Sequence, residues 1–238
     1  MEQHSDIKNN NNNSDQHKKI HYDDVHHDTH KSHSFLEELL HHFPYAIFAA
    51  ALSIIALTLL DTQDASHDRF NRLFHSFHFL HVLFASTGTV ITYTMFAKKT
   101  NLLKTIAIGT ISPIIFCIIS DMIIPYISGI AMGVDMELHI CFHEEMRNIW
   151  PFLLMGLING MILKEHHSAA LRVFSLGSHF THILISSLAS LFYMVSRGLS
   201  DWYPKMGYMF LFLVVAIVIP CTFSDVIIPM YFASKENK

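Results

Sequence analysis

Four histidines and two aspartates recur in matched settings. His78 and His81 stand in "HFLHVLFAS" (78–86), and His179 and His182 in "HFTHILISS" (179–187). Asp121 and Asp225 stand in "CIISDMIIP" (117–125) and "CTFSDVIIP" (221–229). Two glutamate pairs join them, Glu37 and Glu38 in "FLEELLHHFP" (35–44) and Glu144 and Glu145 in "FHEEMRNIWP" (142–151). Neutral imidazole and carboxylate are ligands for divalent first-row metals. Histidines three apart project from one face of a helix, so each pair can approach a single ion. Asp121 precedes Pro125 by four residues. In an α-helix the N–H of residue 125 would bond the carbonyl of residue 121, and proline has no N–H. The spacing predicts that Asp121 offers a freed carbonyl beside its carboxylate, and that Asp225 does the same with Pro229. An acid with its own free carbonyl is half a shell for a cation.

The donor types narrow the ion. Histidine and carboxylate without paired thiols point to zinc, iron, manganese, cobalt or nickel rather than Cu⁺. Cys117 and Cys221 are duplicated but isolated, and read as close-packing residues. Each polar group also has an ordinary explanation. A proline often only kinks a spanning helix, an intramembrane Asp often bonds a neighbouring helix, and glutamates suit a helix start. Duplication of the whole set weighs for use, because a charged group in a bilayer costs at least about 2.5 kcal/mol on insertion scales. The sequence leaves two arrangements open: two symmetric sites near the two faces, or one shared site at mid-depth.

The elements that must position these residues are apolar. The chain has 238 residues, 51% hydrophobic and 15% charged, and a mean hydropathy of +0.32. Apolar runs cover roughly Phe43–Leu60, Phe77–Phe96, Thr105–Gly129, Trp150–Leu163, Val173–Val195 and Tyr208–Phe232. Most approach or exceed the ~20 residues that a spanning helix needs, with Trp150–Leu163 the shortest. The expectation is an all-α polytopic membrane protein with six transmembrane helices. About forty polar residues precede the first run, so it does not read as a cleaved signal peptide.

The matched segments recur in the same order, 101 to 107 residues apart (His78 to His179, Asp121 to Asp225, Glu37 to Glu144). The chain therefore reads as two homologous three-helix repeats, 35–131 and 132–238. Three is odd, so the second repeat enters the membrane from the opposite side, and the repeats are inverted. Many secondary transporters are organised in this way.

Residues 1–34 carry Asn9–Asn13, seven histidines and several acids. They cannot build a core and read as a disordered cytosolic arm that collects metal. Lys98, Lys99, Lys104, Lys164, Arg172, Lys235 and Lys238 fall on one side, against Arg69, Arg72, Arg147, Arg197 and Lys205 on the other, which places both termini in the cytosol. On the outer side Asp61, Asp64, His67, Asp68, His75, Asp135, Glu137, His139 and His143 read as solvated loop residues before they read as an attracting vestibule.

The leading expectation is a transporter of divalent transition-metal ions (zinc, iron or manganese as substrate) by alternating access, compatible with proton coupling and needing no organic cofactor. No phosphate-binding glycine loop suggests an ATPase. No basic patch suggests nucleic acid, so the expected partners are metal ions and the lipid bilayer, with a homo-oligomer left open. The chain is expected not to be an enzyme. The alternative class is an intramembrane metalloenzyme, a metal-dependent hydrolase or di-iron lipid oxidase, to which His75 and "KEHHS" (164–168) lend some colour. Haem held by histidines of the second and fifth spans would leave the Asp–Pro units unexplained.

Overall fold

The computed structural model describes residues 35–61, 67–141, 145–163 and 169–236. Eight α-helices build it: α1 (Phe35–Leu60), α2 (His67–Phe96), α3 (Leu102–Ile118), α4 (Ile124–Ala131), α5 (Met146–Leu163), α6 (Ala169–Ser196), α7 (Met206–Thr222) and α8 (Ile228–Glu236). Two five-residue π turns, Ile119–Ile123 and Phe223–Ile227, join α3 to α4 and α7 to α8, so each pair runs as one interrupted rod. No strand occurs among the described residues.

Five segments are long and apolar enough to cross a membrane: His42–Leu60, Asp68–Phe96, Leu102–Ala131, Gly177–Ser196 and Tyr203–Glu236. The sixth, Arg147–Leu163, is apolar but shorter. This is the organisation of a multi-pass membrane protein. The helices outrun the apolar stretches that announce them. α2 begins at His67, ten residues before Phe77, because the mixed segment His67–Ser76, which buries Phe70 and Phe74, continues the same helix. Hydropathy reports where lipid would lie, not where hydrogen bonding stops.

Local chemistry sets several ends. The Asn101 side chain accepts from the Leu103 N–H at 3.0 Å and caps α3. α4 closes at Gly133, whose φ of +74° is a left-handed conformation that glycine adopts without penalty, while the Val134 N–H returns to the Gly129 carbonyl at 3.0 Å.

The sidedness of the helices suits lipid. Ile55, Leu59, Leu103, Ile111, Met155 and Leu211 are exposed, whereas the interior holds Ser86, Thr89, Ser120, Ser186, Ser190 and Ser224 beside His78, His81, His182, Asp121 and Asp225. Polar groups face inward because they can bond only one another there. α2 is the central helix and packs on α5, α6, α3 and α8, while α1 lies on α6 and α7. α5 comes close enough for a Cβ on Gly156 to fall 2.5 Å from the Leu83 carbonyl oxygen of α2. The Thr87 hydroxyl then reaches the Gly156 carbonyl at 3.1 Å. Close approach through a small residue, sealed by an interhelical hydroxyl bond, is how helices associate where burial alone drives little.

The segments Asp61, 132–141 and Arg197–Trp202 share one face of the bundle, joined by Trp202 Nε1–H to Asp61 Oδ2 (2.8 Å) and Glu137 N–H to the Arg197 carbonyl (2.9 Å). The opposite face holds the α2–α3 connection and the end of α8, where the Tyr93 hydroxyl and the Lys104 ammonium both bond the Glu236 carboxylate. We call these the loop face and the terminal face.

Candidate metal centre

α2 carries His75, His78 and His81 one turn apart along a single side. The π turn delivers Asp121 against the lower two. His78 Nδ1–H donates to Asp121 Oδ2 at 2.8 Å, and His81 Nδ1–H donates to the same oxygen at 2.8 Å, with Oδ1 at 3.0 Å. The Ser120 hydroxyl (2.8 Å) and the Ser186 hydroxyl of α6 (3.3 Å) donate to Oδ1. Asp121 is fully buried and takes four donors, close to the lone-pair capacity of a carboxylate. It therefore stands behind the imidazoles rather than in front of them. A carboxylate that takes the Nδ1 proton fixes tautomer and ring orientation and leaves Nε2 free to ligate.

The second half does this once. His182 Nδ1–H donates to Asp225 Oδ2 at 2.8 Å. His179, three residues before it, turns instead toward His42 and Tyr45 of α1, with ring centroids 4.5 and 5.8 Å away in edge-on contacts.

The proline logic holds with a shift of one residue. The Ile124 N–H bonds the Ile119 carbonyl, five residues back rather than four. In that wider register Pro125 stands opposite the carbonyl of Ser120, not that of Asp121. That carbonyl accepts the Ser190 hydroxyl of α6 at 3.0 Å. Likewise the Ile228 N–H bonds the Phe223 carbonyl, which sets Pro229 opposite the carbonyl of Ser224. The Ser224 carbonyl accepts the Thr89 hydroxyl of α2 at 3.0 Å and the Ser112 hydroxyl at 3.4 Å. The expected cation half-shell of acid plus its own carbonyl is thus replaced. The carbonyls facing the prolines are taken by hydroxyls from neighbouring helices, and the acids hold histidines.

The two acid-centred sets meet at mid-bundle. The rings of His81 and His182 lie 4.8 Å apart. Cys221, one helical turn before Asp225, places its Sγ 3.8 Å from His81 Nε2. His81, His182 and Cys221 each present a ligand atom within 4.8 Å of the others, all buried. Bonds of 2.0–2.1 Å to nitrogen and 2.3 Å to sulfur at tetrahedral angles imply an N···S separation of about 3.6 Å, so small side-chain movements would seat one ion. His182 Nε2 and Asp225 Oδ1 are buried without a hydrogen-bond partner. Unpaired polar atoms of this kind call for an explanation, and an ion is one. Cys117, which opens "CIISDMIIP" as Cys221 opens "CTFSDVIIP", also interacts with His81.

The other expected ligands fall elsewhere. Glu145 is half-buried at the start of α5 on the loop face and bonds Asn148. Glu144, the side chains of Glu37 and Glu38, the arm 1–34 and "KEHHS" lie outside the described residues. Cys221 was read from sequence as a packing residue and stands among the donors. The signal was present in its spacing, since Cys221 and Asp225, four apart, share a helix face. His42 carried no comparable signal. No protein-family model, curated protein or solved structure matches the chain.

Proposed function

We propose that the chain carries divalent transition-metal ions across the membrane by alternating access between two inverted three-helix repeats. The observation that carries this reading is the buried His81–His182–Cys221 cluster, in which Asp121 holds His81 and Asp225 holds His182 from behind, one pair from each proposed repeat. Of the zinc, iron and manganese class, zinc suits two imidazoles and a thiol best. Because ligands bind deprotonated, loading would release protons, which makes proton coupling compatible with the site.

Reciprocal contacts support the inverted halves. The Ser190 hydroxyl of the second repeat caps Ser120 of the first, and the Thr89 hydroxyl of the first caps Ser224 of the second. Thr89 and Ser190 are related by the same offset as His78 and His179. A path is also supported. From the loop face toward the terminal face the order is His75, His78, His81, His182, His179 and His42, with rings in contact at His81–His182 and His42–His179. A di-iron oxidase would need its carboxylates as metal ligands, and Asp121 is engaged by four donors.

The test is metal flux into proteoliposomes that enclose a metal-sensitive dye, offering zinc, iron(II) and manganese. Wild type should move at least zinc, and His182→Ala and Cys221→Ser should each lower the rate tenfold or more. A wild type that moves none of the three sinks the transport reading. Unchanged flux in both variants would put the path elsewhere.

A further inference from the structure

A second group of donors stands on the loop face: His75, His139 and Cys141, with ligand atoms within 4.8 Å of one another. It shares no residue with the central cluster. His75 Nδ1–H donates to the Asn71 carbonyl at 2.8 Å, which fixes the ring as Asp121 fixes His78 and His81. Its Nε2 is buried and has no hydrogen-bond partner. The rings of His75 and His139 meet edge-on at 5.9 Å.

The loop that bears His139 and Cys141 is fastened in place. The Glu137 N–H donates to the Arg197 carbonyl (2.9 Å), and the His139 N–H donates to the Tyr193 hydroxyl (3.0 Å), which donates back to the His139 carbonyl (3.2 Å). Gly198, at φ +136°, allows this seating, because a Cβ there would collide with the Asp135 carbonyl. A connecting segment held by three hydrogen bonds, to Tyr193 of α6 and to Arg197 just past its end, is a preorganised support, which a loop chosen only for length would not need. Cys141 is buried, and burial, with Glu145 adding and Arg197 opposing, pushes its thiol up to about 12. It stays a thiol at neutral pH until a metal displaces the proton.

We propose that His75, His139 and Cys141 form a second metal site, taking the same borderline-to-soft divalent ions as the centre and loading or releasing them at the loop face. The site lies one helical turn from His78, and a void of about 10 Å³ is bordered by both His78 and Cys141. Its role as a docking station rests on the transport reading; the binding does not.

The test is a Co²⁺ titration of the full-length detergent-solubilised chain, read by the thiolate-to-cobalt charge-transfer band. The arm 1–34 has no Cys and adds nothing to that band. Wild type should bind two equivalents with the band, and Cys141→Ser, His139→Gln and Cys221→Ser one each. His75→Ala should weaken the loop-face equivalent at least tenfold. The proposal is overturned if Cys141→Ser and His139→Gln keep both equivalents, or if Cys221→Ser abolishes the band altogether. Loss of the whole band in Cys141→Ser would instead remove the central cluster and leave the loop-face site standing. Two equivalents bound, with no zinc flux once the same protein is in proteoliposomes, would refute transport and leave this site intact.

Discussion

Asp121 shows how a buried acid can matter without touching an ion. Four donors satisfy it, two of them imidazole N–H groups, and the far nitrogen of His81 lies beside Cys221. Asp121→Asn keeps the volume but offers one acceptor oxygen and adds two donors, so one ring loses its anchor. We expect zinc affinity to fall 10–100-fold, as when other outer-shell partners of metal ligands are replaced, with little change in the unfolding midpoint; equilibrium dialysis against zinc measures it. Cys221→Ser should cost at least as much in affinity while leaving the fold intact. That Asp and His belong together was legible in their duplicated spacing. Which ring nitrogen faces the acid was not, because that depends on how far α3 approaches α2. The role of Cys221 was hidden for a plainer reason: a lone thiol in an apolar run looks like packing until its neighbours are known.

The interrupted rods are the element on which this geometry depends. Each π turn widens the helix by one residue, turning Ser120 and Ser224 carbonyls toward hydroxyls of α6 and α2. Ser190→Ala and Thr89→Ala should each destabilise the protein by about 1 kcal/mol, within the range measured for interhelical hydrogen bonds in membranes, detectable as a lowered unfolding midpoint in detergent. The loss should be larger for Ser190, because the Ser224 carbonyl keeps Ser112 as a second donor at 3.4 Å. If neither substitution lowers stability, the carbonyl caps are not structural. The proline and the acid were visible in the sequence, but the π register was not. One extra residue in a helical turn leaves no mark on composition or periodicity. The helices themselves were legible through their apolar runs, and their polar end turns were not.

For the whole molecule, the histidines between the loop face and the terminal face give the bundle a direction, and sidedness decides what that direction means. From the lysine distribution we propose that the terminal face lies in the cytosol. All three native cysteines are buried, so single reporter cysteines can be read directly. In intact cells an impermeant maleimide should label Asp201→Cys and spare Lys98→Cys; the reverse pattern would invert the orientation. Deleting residues 1–34 should change the apparent affinity or rate of zinc flux without abolishing it. The all-helical, multi-pass class followed from composition and length, whereas the meeting of His81 with His182 needed the folded chain. Most of this rests on the proposal that His81, His182 and Cys221 hold one ion. Zinc-edge X-ray absorption of the Cys141→Ser protein loaded with one equivalent of zinc reports on that directly. We expect one sulfur near 2.3 Å and imidazole nitrogens near 2.0 Å, with the sulfur lost in Cys141→Ser/Cys221→Ser. A shell of nitrogen and oxygen alone, the same in both proteins, would contradict the site.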